Sequence, residues 1–246
     1  GMGYGSITEP ADIGSGGGSS GPVSGGAGAG RLKITVTGDA VINGDIVSNG
    51  VNGGYSTVYY NGYWRTMAGG GGAGGSIYLV VDGEISGTGN ISANGGGVSG
   101  KAGGGGGGRI AIYYGSNNFS GNMTAYAGGI SPQAGGAGTI YLKSALQTYG
   151  DLVIGNNNVN GALTKIMDGK YSFDNIEIKS GASINVSSID EIYSTNLYIQ
   201  NGGVVTNAGS LVVPGDFKLD SNGVMNHNGG KFSNGDLVIG SGGTFN

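Results

Sequence analysis

The chain has 246 residues, 60 of them glycine, and its 11 basic and 15 acidic side chains leave a formal charge of −4. Glycine stands far above its usual ~7%, yet it does not recur at every third position and there are only 4 prolines, so collagen is excluded. An apolar share of 37% with 11% charge excludes charge-driven disorder, and the absence of a basic patch argues against nucleic-acid binding by counterion release. No apolar run approaches the ~18–20 residues of a membrane helix, so this segment is not expected to insert in a bilayer. Without cysteine there is no disulfide framework and no thiolate metal site. The opening Gly1-Met2 reads as an expression remnant.

From the N-terminus onward one phrase recurs four times: Arg31-Leu-Lys-Ile-Thr-Val, Ser76-Ile-Tyr-Leu-Val-Val, Arg109-Ile-Ala-Ile-Tyr-Tyr and Thr139-Ile-Tyr-Leu-Lys. Its starts lie 45, 33 and 30 residues apart, and its apolar side chains alternate, as in a half-buried strand. A second phrase follows in three of them: Val41-Ile-Asn-Gly-Asp-Ile, Ile85-Ser-Gly-Thr-Gly-Asn-Ile and Phe119-Ser-Gly-Asn-Met. Each predicts a short strand bent at a corner. Between the strands run the excursions Gly14–Gly30, Gly69–Gly75, Gly95–Gly108 and Ala134–Gly138. Glycine tracts serve as flexible linkers or as extended segments packed backbone to backbone. Their return once per repeat favours order.

Beyond Gly150 the pattern tightens. Asp151-Leu-Val-Ile, Asn175-Ile-Glu-Ile, Asn196-Leu-Tyr-Ile, Asp216-Phe-Lys-Leu and Asp236-Leu-Val-Ile place apolar anchors at 152, 176, 197, 217 and 237, with spacings of 24, 21, 20 and 20. After the later anchors comes a Gly/Ser/Asn corner and a further short strand. A repeat of ~20 residues cannot bury an apolar face alone, so neighbours must stack. The expected fold is all-β: a β-solenoid, most simply a right-handed parallel β-helix with glycine-rich excursions. It divides into residues 1–148, carrying an aromatic insert at 52–68, and residues 149–246 with the ~20-residue repeat. The end at Gly243-Thr-Phe-Asn246 predicts a fragment of a longer chain, whose further repeats would be its nearest partners.

The phrases Gly75-Ser-Ile-Tyr-Leu, Ile91-Ser-Ala-Asn-Gly-Gly, Gly108-Arg-Ile-Ala-Ile-Tyr-Tyr and Gly138-Thr-Ile-Tyr-Leu-Lys resemble the glycine-rich repeats of large bacterial surface or secreted proteins. Gly235-Asp-Leu-Val-Ile-Gly-Ser-Gly-Gly-Thr-Phe-Asn resembles their adhesin-like β-solenoid repeats. That resemblance implies export to the cell surface or beyond, and a structural or adhesive role. It transfers no catalytic residue.

The insert departs from this pattern. Tyr55, Tyr59, Tyr60, Tyr63 and Trp64 fall within ten residues, followed by Arg65. Asn61-Gly62 is a hairpin turn signal that pairs Tyr60 with Tyr63 on one face and Tyr59 with Trp64 on the other. Tyr59, Tyr60, Tyr63, Trp64 and Arg65 are the candidate ligand-binding residues, for a surface glycan or another host or neighbouring-cell component. The competing expectation is a loop that covers the flank of the fold or caps its N-terminal end. Tyr78, Tyr113, Tyr114, Tyr141 and Tyr198 sit on strand phrases and predict a stabilising outer ladder.

Enzymatic readings find less purchase. Parallel β-helices host polysaccharide lyases and glycoside hydrolases, which need clustered carboxylates. Here Asp151, Asp216 and Asp236 share their repeat position with Asn175 and Asn196, an exchange that suits hydrogen bonding at corners and not acid–base chemistry. Asp190-Glu191 is the only adjacent acidic pair. The glycine-rich calcium nonapeptide is absent, and Asn226-His227-Asn228-Gly229 reads as a solvated corner. No catalytic residue, metal site or cofactor is therefore expected, and the chain is read as a non-enzyme. The alternatives are a polysaccharide-degrading enzyme on the same fold, or the receptor-binding tip of a phage or secreted fibre.

Overall fold

The structure, a computed structural model, describes residues 5–130, 133–166 and 169–246, with the Tyr60 side chain also outside the description. It is all-β, with twenty strands and no helix among the described residues. The first part of the chain forms β1 (Arg31–Val36), β2 (Ala40–Val41), β3 (Asp45–Val47), β4 (Tyr55–Tyr60) and β5 (Tyr63–Ala68). Next come β6 (Ser76–Gly87), β7 (Asn90–Ser92), β8 (Arg109–Phe119), β9 (Asn122–Thr124) and β10 (Thr139–Ser144). The later part forms β11 (Asp151–Gly155), β12 (Thr164–Lys165), β13 (Lys170–Lys179), β14 (Ser183–Val186) and β15 (Glu191–Ile199). It ends with β16 (Val204–Asn207), β17 (Ser210–Leu219), β18 (Val224–His227), β19 (Lys231–Ile239) and β20 (Thr244–Phe245).

One large sheet runs through the molecule in the order β1-β6-β8-β10-β11-β13-β15-β17-β19, with β2 also pairing β6. The four early phrases align in register, Arg31 to Ser76 to Arg109 to Thr139. The five later anchors do the same, Leu152 to Ile176 to Leu197 to Phe217 to Leu237. Register follows from pattern here, because slipping by one residue would turn every apolar side chain to the other face. Two smaller parallel sheets, β3-β7-β9 and β12-β14-β16-β18-β20, lie across the cores. The corners before β14, β16 and β18 carry two consecutive positive-φ residues each: Ser180-Gly181, Asn201-Gly202 and Ser221-Asn222. Each closes a turn by an N–H to C=O bond, Ala182 to Lys179, Gly203 to Gln200 and Gly223 to Asp220, which suits residues that tolerate a left-handed backbone.

The large sheet is not parallel throughout. β10 and β11 pair antiparallel through the turn at 145–150, with Tyr141 opposite Leu152. The covered face changes at the same place. Ile77, Leu79, Ile110 and Ile112, with Ile140 and Leu142 against them, pack in one core together with Ile85 and Ile91. Ala111 and Tyr141, from the opposite face of the same strands, join Leu152, Ile154, Phe173 and the later anchors in the other core. The segment before β1 covers that second face of the early strands. Ile7 is buried in the later core. Tyr113 Oη donates to the Thr8 carbonyl at 3.2 Å, and Ser76 Oγ to the Asp12 carbonyl at 2.6 Å.

The glycine tracts are ordered. Along 69–75 successive N–H groups turn to three different neighbours in a three-residue cycle. Gly69, Gly72 and Gly75 donate to Gly54, Val51 and Ser48; Gly70 and Ala73 to Gly18 and Ser15; Gly71 and Gly74 to Gly103 and Gly106. Three residues per turn is the period of polyproline II, a conformation that leaves every backbone group free to bond between segments. The tracts therefore form a bundle cross-linked chiefly by backbone, with side-chain bonds such as Gly97 N–H to Asn52 Oδ1 at its margin. Its spacing admits no side chain at Gly72, where a Cβ would fall on the Ala27 carbonyl oxygen.

Candidate functional site

The aromatic insert folds as the hairpin β4–β5, closed by Asn61 (φ 48°) and Gly62 (φ 82°) in the left-handed pair that a type I′ turn requires. Its register places Tyr60 opposite Tyr63, Tyr59 opposite Trp64 and Val58 opposite Arg65. The hairpin rises from the glycine bundle, where Gly69 N–H bonds the Gly54 carbonyl at 2.9 Å. Six residues per strand carry it about 20 Å at the usual ~3.4 Å rise. It does not fold back over the body. Tyr59 is 63% exposed, Tyr63 71% and Trp64 72%, so the expectation of a flank-covering loop fails.

Alternation along the strands divides the five candidate residues. Tyr59 and Trp64 share a face and meet edge to face, with centroids 5.3 Å apart and planes at 63°. Tyr60, Tyr63 and Arg65 occupy register positions of the opposite face. The five are therefore not one contact surface. Tyr55, which the sequence reading left out of the site, lies on the Tyr59–Trp64 face and is also mostly exposed. Its signal was available in the alternation 55, 57, 59. Of the Tyr60 side chain nothing is described.

The remaining chemistry-bearing residues have structural partners. Asp190 is buried, and its carboxylate accepts from Ser187 N–H at 2.7 Å and Gly169 N–H at 3.2 Å, while Glu191 pairs with Lys170 on the surface at 2.8 Å. The anchor asparagines bond each other across strands more than their own corners. Asn175 Nδ2 donates to Asp151 at 2.6 Å, Asn196 Nδ2 to Asn175 at 2.8 Å, and Asp216 N–H to Asn196 at 2.9 Å. His227 lies in β18 and not in a corner; its ring packs on Phe232 with centroids 6.1 Å apart. The tyrosine ladder exists but is not an outer one. Tyr78, Tyr113 and Tyr141 run at 5.7 Å steps into Phe173 at 6.2 Å, beneath the N-terminal segment. Burial raises the phenol pKa of Tyr78, Tyr113 and Tyr141 above the ordinary value. Tyr114 packs in the other core, and Tyr198 lies under the Lys218 ammonium at 5.6 Å.

A cavity of about 440 Å³ opens along the glycine bundle, between the 15–19 segment, the 70–75 segment and the 103–108 segment. Among the described residues Asp12 is the sole carboxylate that lines it. Arg109 closes one end, donating to Thr139 Oγ1 at 3.0 Å, and burial pulls its pKa down to about 10. Among the described residues no three His, Asp or Glu side chains gather as metal ligands. No helix of the structure is long and apolar enough to cross a membrane. Comparison with known proteins finds no matching family model, no similar curated protein and no similar solved structure.

Proposed function

We propose that the stacked strands are successive turns of a β-solenoid, and that this solenoid is a non-enzymatic module that holds an aromatic hairpin out toward a carbohydrate surface. The observation that carries the reading is the exposed Tyr59–Trp64 pair. A protein does not usually leave its only tryptophan and three tyrosines in water on a single hairpin, and large exposed apolar features mark interaction sites. Rings of this kind stack on the C–H faces of sugars, and two-torsion aromatics lose little entropy when they bind. The anchoring glycine bundle fixes the hairpin's root, so its orientation is set before contact. Export and surface display follow from the resemblance of the repeats to bacterial surface proteins. Among the described residues a single carboxylate, Asp12, lines the cavity, and this supports a binding role over glycoside cleavage, which needs a pair.

The test is a glycan array probed with the native chain and with Trp64→Ala. Saturable binding to a glycan class, reduced about 5- to 150-fold by Trp64→Ala (~1–3 kcal/mol) at unchanged melting temperature, is the expected result. An array that stays blank for the native chain refutes the carbohydrate reading.

A further inference from the structure

The glycine bundle has an empty place in its packing. A segment with three residues per turn sends its N–H groups in three directions and its C=O groups in three others, so it can bond six neighbours. The 69–75 segment has five among the described residues: it donates to 48–54, 15–18 and 103–106, and accepts from 24–30 and 93–97, with Gly75 also accepting from Arg109 at the end of the 103–108 wall. Its carbonyls show which direction is unused. Gly70 and Ala73 accept from Gly26 and Ala29, Gly72 from Gly96 and Gly75 from Arg109, but Gly71 and Gly74, like Gly69 at the segment's start, accept from none of the described residues. The 103–108 segment has a complementary gap. Gly104 and Gly107 donate to Gln133 and Gly136, and Gly105 and Gly108 to Gly96 and Ala93, while the N–H groups of Gly103 and Gly106 have no acceptor among the described residues. Gly71, Gly74, Gly103 and Gly106 all line the cavity between these segments.

We infer that this groove is a binding site for one extended glycine-rich strand of another polypeptide, which takes the sixth place around the 69–75 segment. The chemistry is that of an unpaired sheet edge, transferred to a three-fold lattice. The groove offers two acceptors and two donors, each pair three residues apart, and a polyproline II strand repeats its own donors and acceptors at that interval of about 9 Å. Six residues of such a strand span about 19 Å, the length of the 103–108 wall. The 70–75 and 103–108 walls are glycine except for Ala73, so a strand can approach them as closely as the five existing neighbours do. Asp12, Ile13, Leu163 and Thr164 are among the residues that line the rest of the cavity. Neighbours at that distance leave no room for a Cβ, as Gly71, Gly72 and Gly105 show, and the occupant must be glycine-rich for the same reason. This site is separate from the aromatic hairpin and does not depend on its ligand.

The experiment titrates a hexaglycine peptide, flanked by lysines for solubility, into isotope-labelled protein and follows backbone amide signals. The expected result is saturable shifting of the Gly103 and Gly106 amides with slowed hydrogen exchange there, and at least about tenfold weaker binding of the matching hexaalanine peptide. Gly103→Leu should abolish the effect without unfolding, because a Cβ on Gly103 meets nothing within 4 Å. Gly18→Leu fills the same groove from the other wall, again from open space, and serves if Gly103→Leu does not fold. Gly44→Leu, open but far from the groove, should bind normally. Unshifted Gly103 and Gly106 signals, equal binding of hexaalanine, or full binding by a folded Gly103→Leu or Gly18→Leu overturns the inference. Shifts confined to the hairpin signals overturn it as well.

Discussion

Replacing Gly105 by alanine tests whether the glycine tracts hold the fold together. The Gly105 backbone sits in the middle of the bundle, donating to Gly96 at 3.0 Å and accepting from Gly128 at 2.8 Å. A Cβ there would overlap the Gly72 carbonyl, 2.6 Å from its carbon and 3.0 Å from Gly96 N. All of these are backbone atoms, so no side chain can swing away. The segments must part, which weakens the two bonds of Gly105 and the 2.7 Å bond from Gly96 to Gly72. Three backbone bonds at ~1 kcal/mol net, with ~1–3 kcal/mol for overpacking, give a loss of about 4–6 kcal/mol. In a chain of this size that lowers the melting temperature by about 8–24 °C, read by far-UV circular dichroism. Gly18→Ala is the control with the opposite sign. Its Cβ meets nothing within 4 Å, so it should stabilise by about 0.4–1 kcal/mol through the unfolded chain. If Gly105→Ala melts at or above the native temperature, the tracts are coil in solution and the bundle argument is wrong.

Asn175→Leu removes the middle of the side-chain ladder, leaving Asp151 and Asn196 without the partners they have at 2.6 and 2.8 Å. Urea titration should show a loss of about 1–3 kcal/mol, and a loss below ~0.5 kcal/mol would mean that the ladder is incidental. The buried tyrosines predict alkaline sensitivity. Burial and the neighbouring Tyr113 raise Tyr141 well above the ordinary phenol value of 10.0, so the fold holds it as the neutral phenol. That contribution is complete below pH 10.0 and is lost as pH climbs from there toward the raised folded value, because only the unfolded chain ionises readily. Tyr141→Phe should cost about 0.5–1.5 kcal/mol at neutral pH through its lost bond to the Tyr149 carbonyl, yet show a shallower alkaline decline. Thermal scans from about pH 8 upward with identical slopes for both proteins would contradict the assignment.

Strand pairing was legible in the sequence because alternation carries it. The phrases at Arg31, Ser76, Arg109 and Thr139, and the anchors from Leu152 to Leu237, stack as their spacing required. The hairpin was legible too, since Asn61-Gly62 satisfies a backbone need that few pairs meet. Other features left no mark of that kind. Gly103 and Gly106 differ from Gly104 only in where their N–H groups point, and a residue without a side chain has no pattern to show it. Ile7 gives no periodicity within its short segment, although it is buried against distant strands. The antiparallel step at Tyr141–Leu152 was hidden because alternation reads the same in either chain direction, and Thr139–Leu142 alternates on both faces. His227 was misplaced because Asn-His-Asn-Gly has turn composition, while the pull of Met225 and Phe232 on the β18 strand is tertiary.

The turn at 145–150 has a consequence for chirality. Reversing strand direction alone would invert the sense in which the chain winds about the stacking axis. Moving the core to the other face of the sheet would invert it too. The turn does both, with Ile140 facing one core and its neighbour Tyr141 the other. Together the two changes amount to a half-rotation about that axis, an operation that leaves handedness untouched. If the stack is the solenoid proposed above, its later strands wind with the same hand as the earlier ones, and keep the same steric preference of L-residues, although they run the opposite way along the shared wall.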